Sequence, residues 1–223
     1  MIIALVERGL LAAGFGWVVW CWSQYTVARY ESGGRLGYRD VILLIKSLFS
    51  TKPHWTLFPL LFFFAILGGL GAWGLSWFRL IDLLIITSLL LILAYVDLRV
   101  HRLPNLFLVG IFIWAFVRSV WLGDPDLLLA GLGALEGGLF FLLIAIIGRG
   151  AMGMGDVKLA AGIGALLGHP LVWAGLLLGI LLGGLSALVL LALRRIGRKD
   201  YMAYGPYLVL GAWLILLRLW IPI

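Results

Sequence analysis

Runs of apolar residues long enough to cross a bilayer decide what this chain can fold into. About 20 predominantly apolar residues in a helix span the hydrocarbon core. Eight segments are candidates: roughly Ile2–Ser23, Leu57–Trp77, Leu80–Val96, Leu106–Trp121, Leu127–Ile147, Val157–Leu167, Leu171–Leu193 and Tyr204–Trp220. The sixth is too short to span by itself and is expected to merge with its loop or to run deep. Charge agrees with hydropathy. Only 12% of the residues are charged, against about 25% in a soluble domain. The expected fold is therefore all-α, a polytopic membrane helix bundle of about eight segments, with the lipid bilayer as its surroundings.

The chain carries a formal net charge of +7, which in a soluble protein would point to nucleic acid. Here no basic stripe with interleaved aromatics lies outside the apolar segments, so no nucleic-acid partner is expected. The positive charges set topology instead. If the helices alternate, thirteen basic residues share one side: Arg29, Arg35, Arg39, Lys46, Lys52, Arg99, Arg102, Arg149, Lys158, Arg194, Arg195, Arg198 and Lys199. The opposite side holds four, Arg8, Arg79, Arg118 and Arg218. The richer side is predicted to be cytoplasmic, with both termini facing outward. The N-terminus lacks a basic leading region, and Glu7 and Arg8 interrupt its apolar run, so it does not read as a cleaved signal peptide. The lone cysteine, Cys21, makes no intramolecular disulfide and no zinc cluster.

Two regions are expected: residues 1–56, an N-terminal membrane helix with a short basic cytoplasmic loop, and residues 57–223, a membrane-embedded core. The polar stretch Gln24–His54 is too short for a packed soluble domain. Its Arg39–Ser50 part reads equally well as a plain connector or as an amphipathic helix lying on the membrane. The pairs Gly133/Gly137 and Gly179/Gly183 have the spacing that lets helix backbones approach closely in lipid. No internal repeat supports a transporter built from inverted halves.

Ionisable groups within or against a membrane core are costly and mark function. Asp97 stands at the cytoplasmic end of the third segment, and Asp156 at the cytoplasmic start of the sixth, within Gly153-Met154-Gly155-Asp156-Val157-Lys158. One helix out, a turn and one helix back separate them, so both carboxylates return to one depth on one side. Amide hydrolysis needs an activated water and a proton for the leaving nitrogen. Two close carboxylates share a proton, so one acts as base while the other acts as acid. Gly153 and Gly155 permit positive φ and let a substrate strand or a facing helix come close. A third acid, Glu136, lies mid-helix. There it is expected to be protonated or paired with a polar group of another helix, in a structural or tuning role.

These residues resemble the type IV prepilin peptidases, which are GxGD membrane aspartic proteases. Three passages carry the likeness. Val96-Asp97-Leu98 with Leu103-Pro104-Asn105 resembles the family's Asp with a downstream Leu/Ile-Pro-Asn/Asp. Gly153-Met154-Gly155-Asp156-Val157-Lys158-Leu159 resembles its G-x-G-D-x-K-L. Tyr204-Gly205-Pro206-Tyr207 with Gly211-Ala212 resembles its F-G-P-F and L-G-A. The resemblance implies an aspartic endopeptidase in the inner membrane. It would cut leader peptides from prepilin or pseudopilin precursors at the cytoplasmic face, with no metal and no cofactor. Asp97 and Asp156 take the catalytic positions. Gly153, Gly155, Lys158 and Pro104 support them, and Lys158 serves equally well as a headgroup anchor.

The sequence departs from the bifunctional members of that family. Gln24–His54 has no C-x-x-C pairs, and the first segment lacks G-S-F-x-N. Peptidase activity without N-methyltransferase activity is therefore expected. An intramembrane protease like presenilin or signal peptide peptidase is the alternative enzyme. Against it, no Pro-Ala-Leu tripeptide is present and Val96 precedes Asp97. A small transporter or a non-catalytic scaffold is the reading from another class, and Glu136 alone supports the transporter.

Overall fold

The computed structural model describes residues 2–31, 76–148, 152–194 and 202–220. These residues form seven helices: α1 Ile2–Glu31, α2 Trp77–Val100, α3 Asn105–Leu122, α4 Leu127–Ile147, α5 Met154–Leu167, α6 Leu171–Ala192 and α7 Gly205–Trp220. Four of them, α2, α3, α4 and α6, are long and apolar enough to cross a membrane. The expected segment Leu57–Trp77 and the possible surface helix Arg39–Ser50 lie outside the described residues, apart from the last two positions of the former. By contact the chain divides into two compact units, Met1–Ile92 and Leu93–Ile223.

In the first unit, α1 runs to Glu31, well past the apolar run that ends at Ser23. Hydropathy marks where lipid contact ends, whereas a helix stops at a breaker. Neither glycine nor proline lies between Gln24 and Glu31 to break one. The guanidinium of Arg8 lies 4.7 Å from the centre of the Trp77 ring, a cation–π contact. Asp82, in the second turn of α2, is 1% exposed. It is an acid that hydropathy alone did not single out.

The second unit is built around its shortest apolar helix. A helix that is hydrophobic all round belongs inside, and α5 buries Val157, Leu159, Ala160, Ile163, Ala165, Leu166 and Leu167. It packs against α3, α4, α6 and α7. At 14 residues it is about 21 Å long, too short for the roughly 30 Å core, as its sequence predicts. Its neighbours turn leucines outward. Leu177, Leu181, Leu185 and Leu188 form an exposed stripe on α6.

Small residues set the closest packing. Gly133 and Gly137 of α4 face Gly164 and Ala160 of α5; a Cβ on Gly133 would collide with the Gly164 carbonyl, and one on Gly164 with that of Gly133. Gly175, Gly179 and Gly183 of α6 meet Ala212 and Leu208 of α7 and the ring of Tyr204 just before it. Both predicted glycine pairs are thus packing faces.

The far end of α5 is tied down. Gly168 ends it at φ +71°, where a Cβ would approach Pro125 to 2.6 Å. The next residue, His169, donates its N–H to the Leu129 carbonyl at 3.0 Å. Arg118, one of the four basic residues assigned from sequence to the less basic side, is 2% exposed. Its guanidinium donates to the Leu166 carbonyl at 3.2 Å and reaches Asp124 at 3.5 Å. The last carbonyls of a helix lack partners within the helix, and here a buried cation supplies one.

Candidate active site

Three helix ends converge in the second unit: the last turn of α2, the first turn of α5 and the start of α7. Asp97 projects from the last turn of α2 and is 6% exposed. Its Oδ2 accepts a hydrogen bond from the backbone N–H of Gly205, the first residue of α7, at 3.0 Å. The initial N–H groups of a helix have no internal partner and carry the positive end of its dipole, so this is a natural seat for a carboxylate. Gly205 has to be small there, since a Cβ would lie 2.7 Å from Asp97 Oδ2.

Asp156 occupies the first turn of α5. Burial, and then the negative charge of Asp97, push its carboxyl up from the ordinary 3.8 to about 6. The backbone N–H of Gly153 pulls the other way, and burial wins. The two aspartates therefore lie within electrostatic reach of one another. The charge of Asp97 thus acts on the ionisation of Asp156.

The supporting residues are drawn in as well. Pro104 is buried at the N-cap of α3. Next to it, Asn105 Oδ1 accepts a hydrogen bond from Lys158 Nζ at 3.0 Å, which joins the starts of α3 and α5. Lys158 is exposed, so this bond is a light tie between the two motifs. The glycines act differently from the expectation of positive φ. Gly153 sits at φ −73° and Gly155 is helical, and neither takes a left-handed conformation. Close approach is what Gly155 supplies: a Cβ there would lie 3.1 Å from the Cβ of Leu103.

Glu136 stands apart from this cluster. Its Oε1 lies 2.9 Å from His169 Nδ1, so it is paired with a polar group from the turn between α5 and α6, one of the two states expected of it. Among the described residues, no three His, Cys, Asp or Glu side chains are grouped as metal ligands would be. Sequence reasoning passed over Gly205 and Tyr204 as site residues. Tyr204 is half-buried, with its ring against Gly183 and Phe141. Their signal was the Tyr-Gly-Pro-Tyr run itself, which carries no charge to attract notice.

Residues 84–190 match the type IV leader peptidase family, and both aspartates lie inside that range. The chain is 33% identical over 136 residues to a prepilin leader peptidase/N-methyltransferase of Bacillus subtilis, covering 60% of this chain and 54% of that one. It is 32% identical over 157 residues to the protein of the same description from Neisseria gonorrhoeae, covering 67% and 53%. For the Pseudomonas putida protein the figures are 34% over 143 residues, 60% and 49%. The chain spans about half the length of the curated relatives it matches. No solved structure matches it significantly. Residues 84–190, which match the type IV leader peptidase family, hold the two acids and most of the helices that present them.

Proposed function

We propose that the protein is an aspartic endopeptidase that removes leader peptides from type IV prepilin-like precursors at the cytoplasmic face of the inner membrane. Asp97 and Asp156 are its catalytic pair. The observation that supports this best is their coupling: the charge of Asp97 acts on the ionisation of Asp156 within a partly buried cluster of helix ends. In the proposed reaction, the charged carboxylate takes a proton from water as its oxygen attacks the scissile carbonyl. The protonated carboxyl gives its proton to the carbonyl oxygen. Collapse of the tetrahedral species breaks the C–N bond: one hydroxyl returns its proton to the carboxylate that gave one up, the other carboxyl passes its proton to the leaving nitrogen, and the pair ends as it began.

The reading extends to architecture. The protein is multi-pass, with about eight segments. Residues 1–56 form an N-terminal helix and basic loop, and residues 57–223 form the peptidase core. The basic-residue asymmetry supports a cytoplasmic site. The absence of cysteine from Gln24–His54 supports peptidase activity without methyl transfer by this chain. Gly153, Gly155, Pro104 and Lys158 hold the first turns of α3 and α5 in place around the pair. The test is co-expression with a prepilin. Asp97→Asn and Asp156→Asn should each abolish cleavage while the protein still inserts; cleavage surviving in either variant removes the mechanism.

A further inference from the structure

The proposed reaction leaves one acid of the core unused. Glu136 is the single ionisable residue within α4, where such a group is costly to keep. Its Oε1 lies 2.9 Å from Nδ1 of His169. Its Oε2 is buried and finds no hydrogen-bond donor among the described residues. The imidazole is therefore the partner on which this carboxyl depends. The contact closes whichever of the two carries the proton, since one then donates where the other accepts.

His169 stands at a joint, two residues past the end of α5 and two before the start of α6. Its backbone N–H donates to the Leu129 carbonyl at 3.0 Å. Backbone and ring thus hold α4 at two points about two turns apart. Four residues further along each segment, Phe140 of α4 meets Trp173 of α6 edge to face, with ring centroids 5.3 Å apart. One polar rung and one aromatic rung therefore pin the joint to α4. The first turn of α5, at the other end of that helix, carries Asp156. The glycine faces set how closely α4 and α5 approach. The Glu136–His169 contact adds a directional tie, because a hydrogen bond weakens steeply as its distance and angle change.

We propose that Glu136 and His169 are a positioning pair, which ties the α5–α6 joint to α4 and so holds Asp156 at its level in the site. Neither residue touches the reacting atoms, and both act through α5. This inference rests on Asp156 being one of the catalytic pair. A slip of α5 by one residue would move Asp156 by about 1.5 Å, and a misplacement of about 1 Å can cost on the order of 100-fold in rate. Arg118 and the glycine faces still restrain the helix when the pair is lost, so the expected loss is smaller, about tenfold in kcat. KM should change little, because the contacts that bind substrate are left intact.

The test uses the full chain in nanodiscs with a purified prepilin as substrate. Glu136→Leu and His169→Leu each break the contact; the first makes α4 more apolar, which favours insertion. Each should lower kcat by about that factor, and the double variant should fall no further than the worse single one, as partners in one contact do. Glu136→Gln keeps an acceptor in the place of Oε1, and His169→Asn keeps a donor in the place of Nδ1, so both should restore kcat. A packing role alone gives additive losses and no rescue. A second readout needs no prepilin. Nitroxide labels on Leu128→Cys of α4 and Met154→Cys of α5, both exposed positions, are placed in a Cys21→Ser background, and their dipolar distance reports the level of α5. The leucine variants should shift or broaden that distance by about 1.5 Å, one residue's rise, and the Gln and Asn variants should not. An unmoved distance, or an unchanged kcat in the leucine variants, overturns the proposal. If the parent chain cleaves no prepilin while the distance still follows the pair, the function proposed above falls and the tie between α4 and α5 stands.

Discussion

Replacing Gly205 with alanine should separate the chemistry of this site from its fold. The added Cβ would sit 2.7 Å from Asp97 Oδ2 and 3.2 Å from Cγ, and something has to give. What gives is the end of a side chain, since the Asp97 carboxylate can swing without disturbing α2. In swinging it loses the 3.0 Å bond from the Gly205 N–H. A hydrogen bond to a charged group is worth about 1.5–3 kcal/mol. If Asp97 needs that bond in the transition state, the loss is roughly 10- to 150-fold in cleavage rate. The assay is the initial rate of leader removal from a purified prepilin in mixed micelles, beside the thermal unfolding midpoint of the variant. The expected outcome is a rate down by that factor with the unfolding midpoint little changed. Cleavage within about threefold of wild type, in a variant that is properly folded, would show that the α7 amide does not hold a catalytic carboxylate. The threefold margin is under about 0.7 kcal/mol, less than any charge-assisted bond.

Gly164→Ala should do the reverse. Its Cβ would meet the backbone of Gly133, which cannot swing aside, so α4 and α5 are pushed apart. Lower unfolding temperature and poor recovery from the membrane are expected; a stable, well-inserted variant would show that these backbones do not touch. Asp156 gives the pH prediction. Its carboxyl is pushed up to about 6 in the folded chain against an ordinary 3.8, so between those values the folded state holds a proton that the unfolded state has released. Stability should therefore fall as pH rises through that interval and level off above it. Asp156→Asn should flatten the slope, and Asp97→Asn should lower the Asp156 midpoint by removing the second cause of its shift. A pH–stability curve unchanged by Asp156→Asn would refute the assignment.

Hydropathy and one charged motif made much of this structure legible from the sequence. Leu127–Ile147 was bounded to the residue, because Asp126 caps its start, accepting from the Leu128 N–H at 3.2 Å, and Gly148 follows its end. The start of α5 was placed three residues late. Met154 and Gly155 are helical although the glycines around them suggested a loop, and this puts Asp156 inside a first turn. The burial of Arg118 could not be read, because its partner is a backbone carbonyl at Leu166, and carbonyls leave no trace in side-chain pattern. The grip of Gly205 on Asp97 was hidden for the same reason: it is an amide contact across 108 positions. Small-residue spacing announced that helices would meet at Gly133 and Gly137, but not which helices.

The length of α5 and the placement of its anchors are connected. A helix of 14 residues falls short of the bilayer's two surfaces, and the last carbonyls of any helix need partners from outside it. Arg118 answers that need at Leu166, and the His169 N–H fastens the following turn to Leu129. From Leu166 back to Asp156 is about 15 Å along the helix. The height of the second aspartate is thus set from the opposite end of α5 rather than by the loop before it. Sliding α5 by one residue would move Asp156 by about 1.5 Å and drive Gly133 and Gly164 out of register. The glycine faces, which bear no charge, and Arg118, at the far end of α5, therefore fix the level at which Asp156 stands. That arrangement is how the proposed catalytic pair would be carried by helix ends. The first residue of α7 supplies a backbone N–H to Asp97, the N-cap of α5 supplies one to Asp156, and the packing between helices determines how far apart the two acids stand.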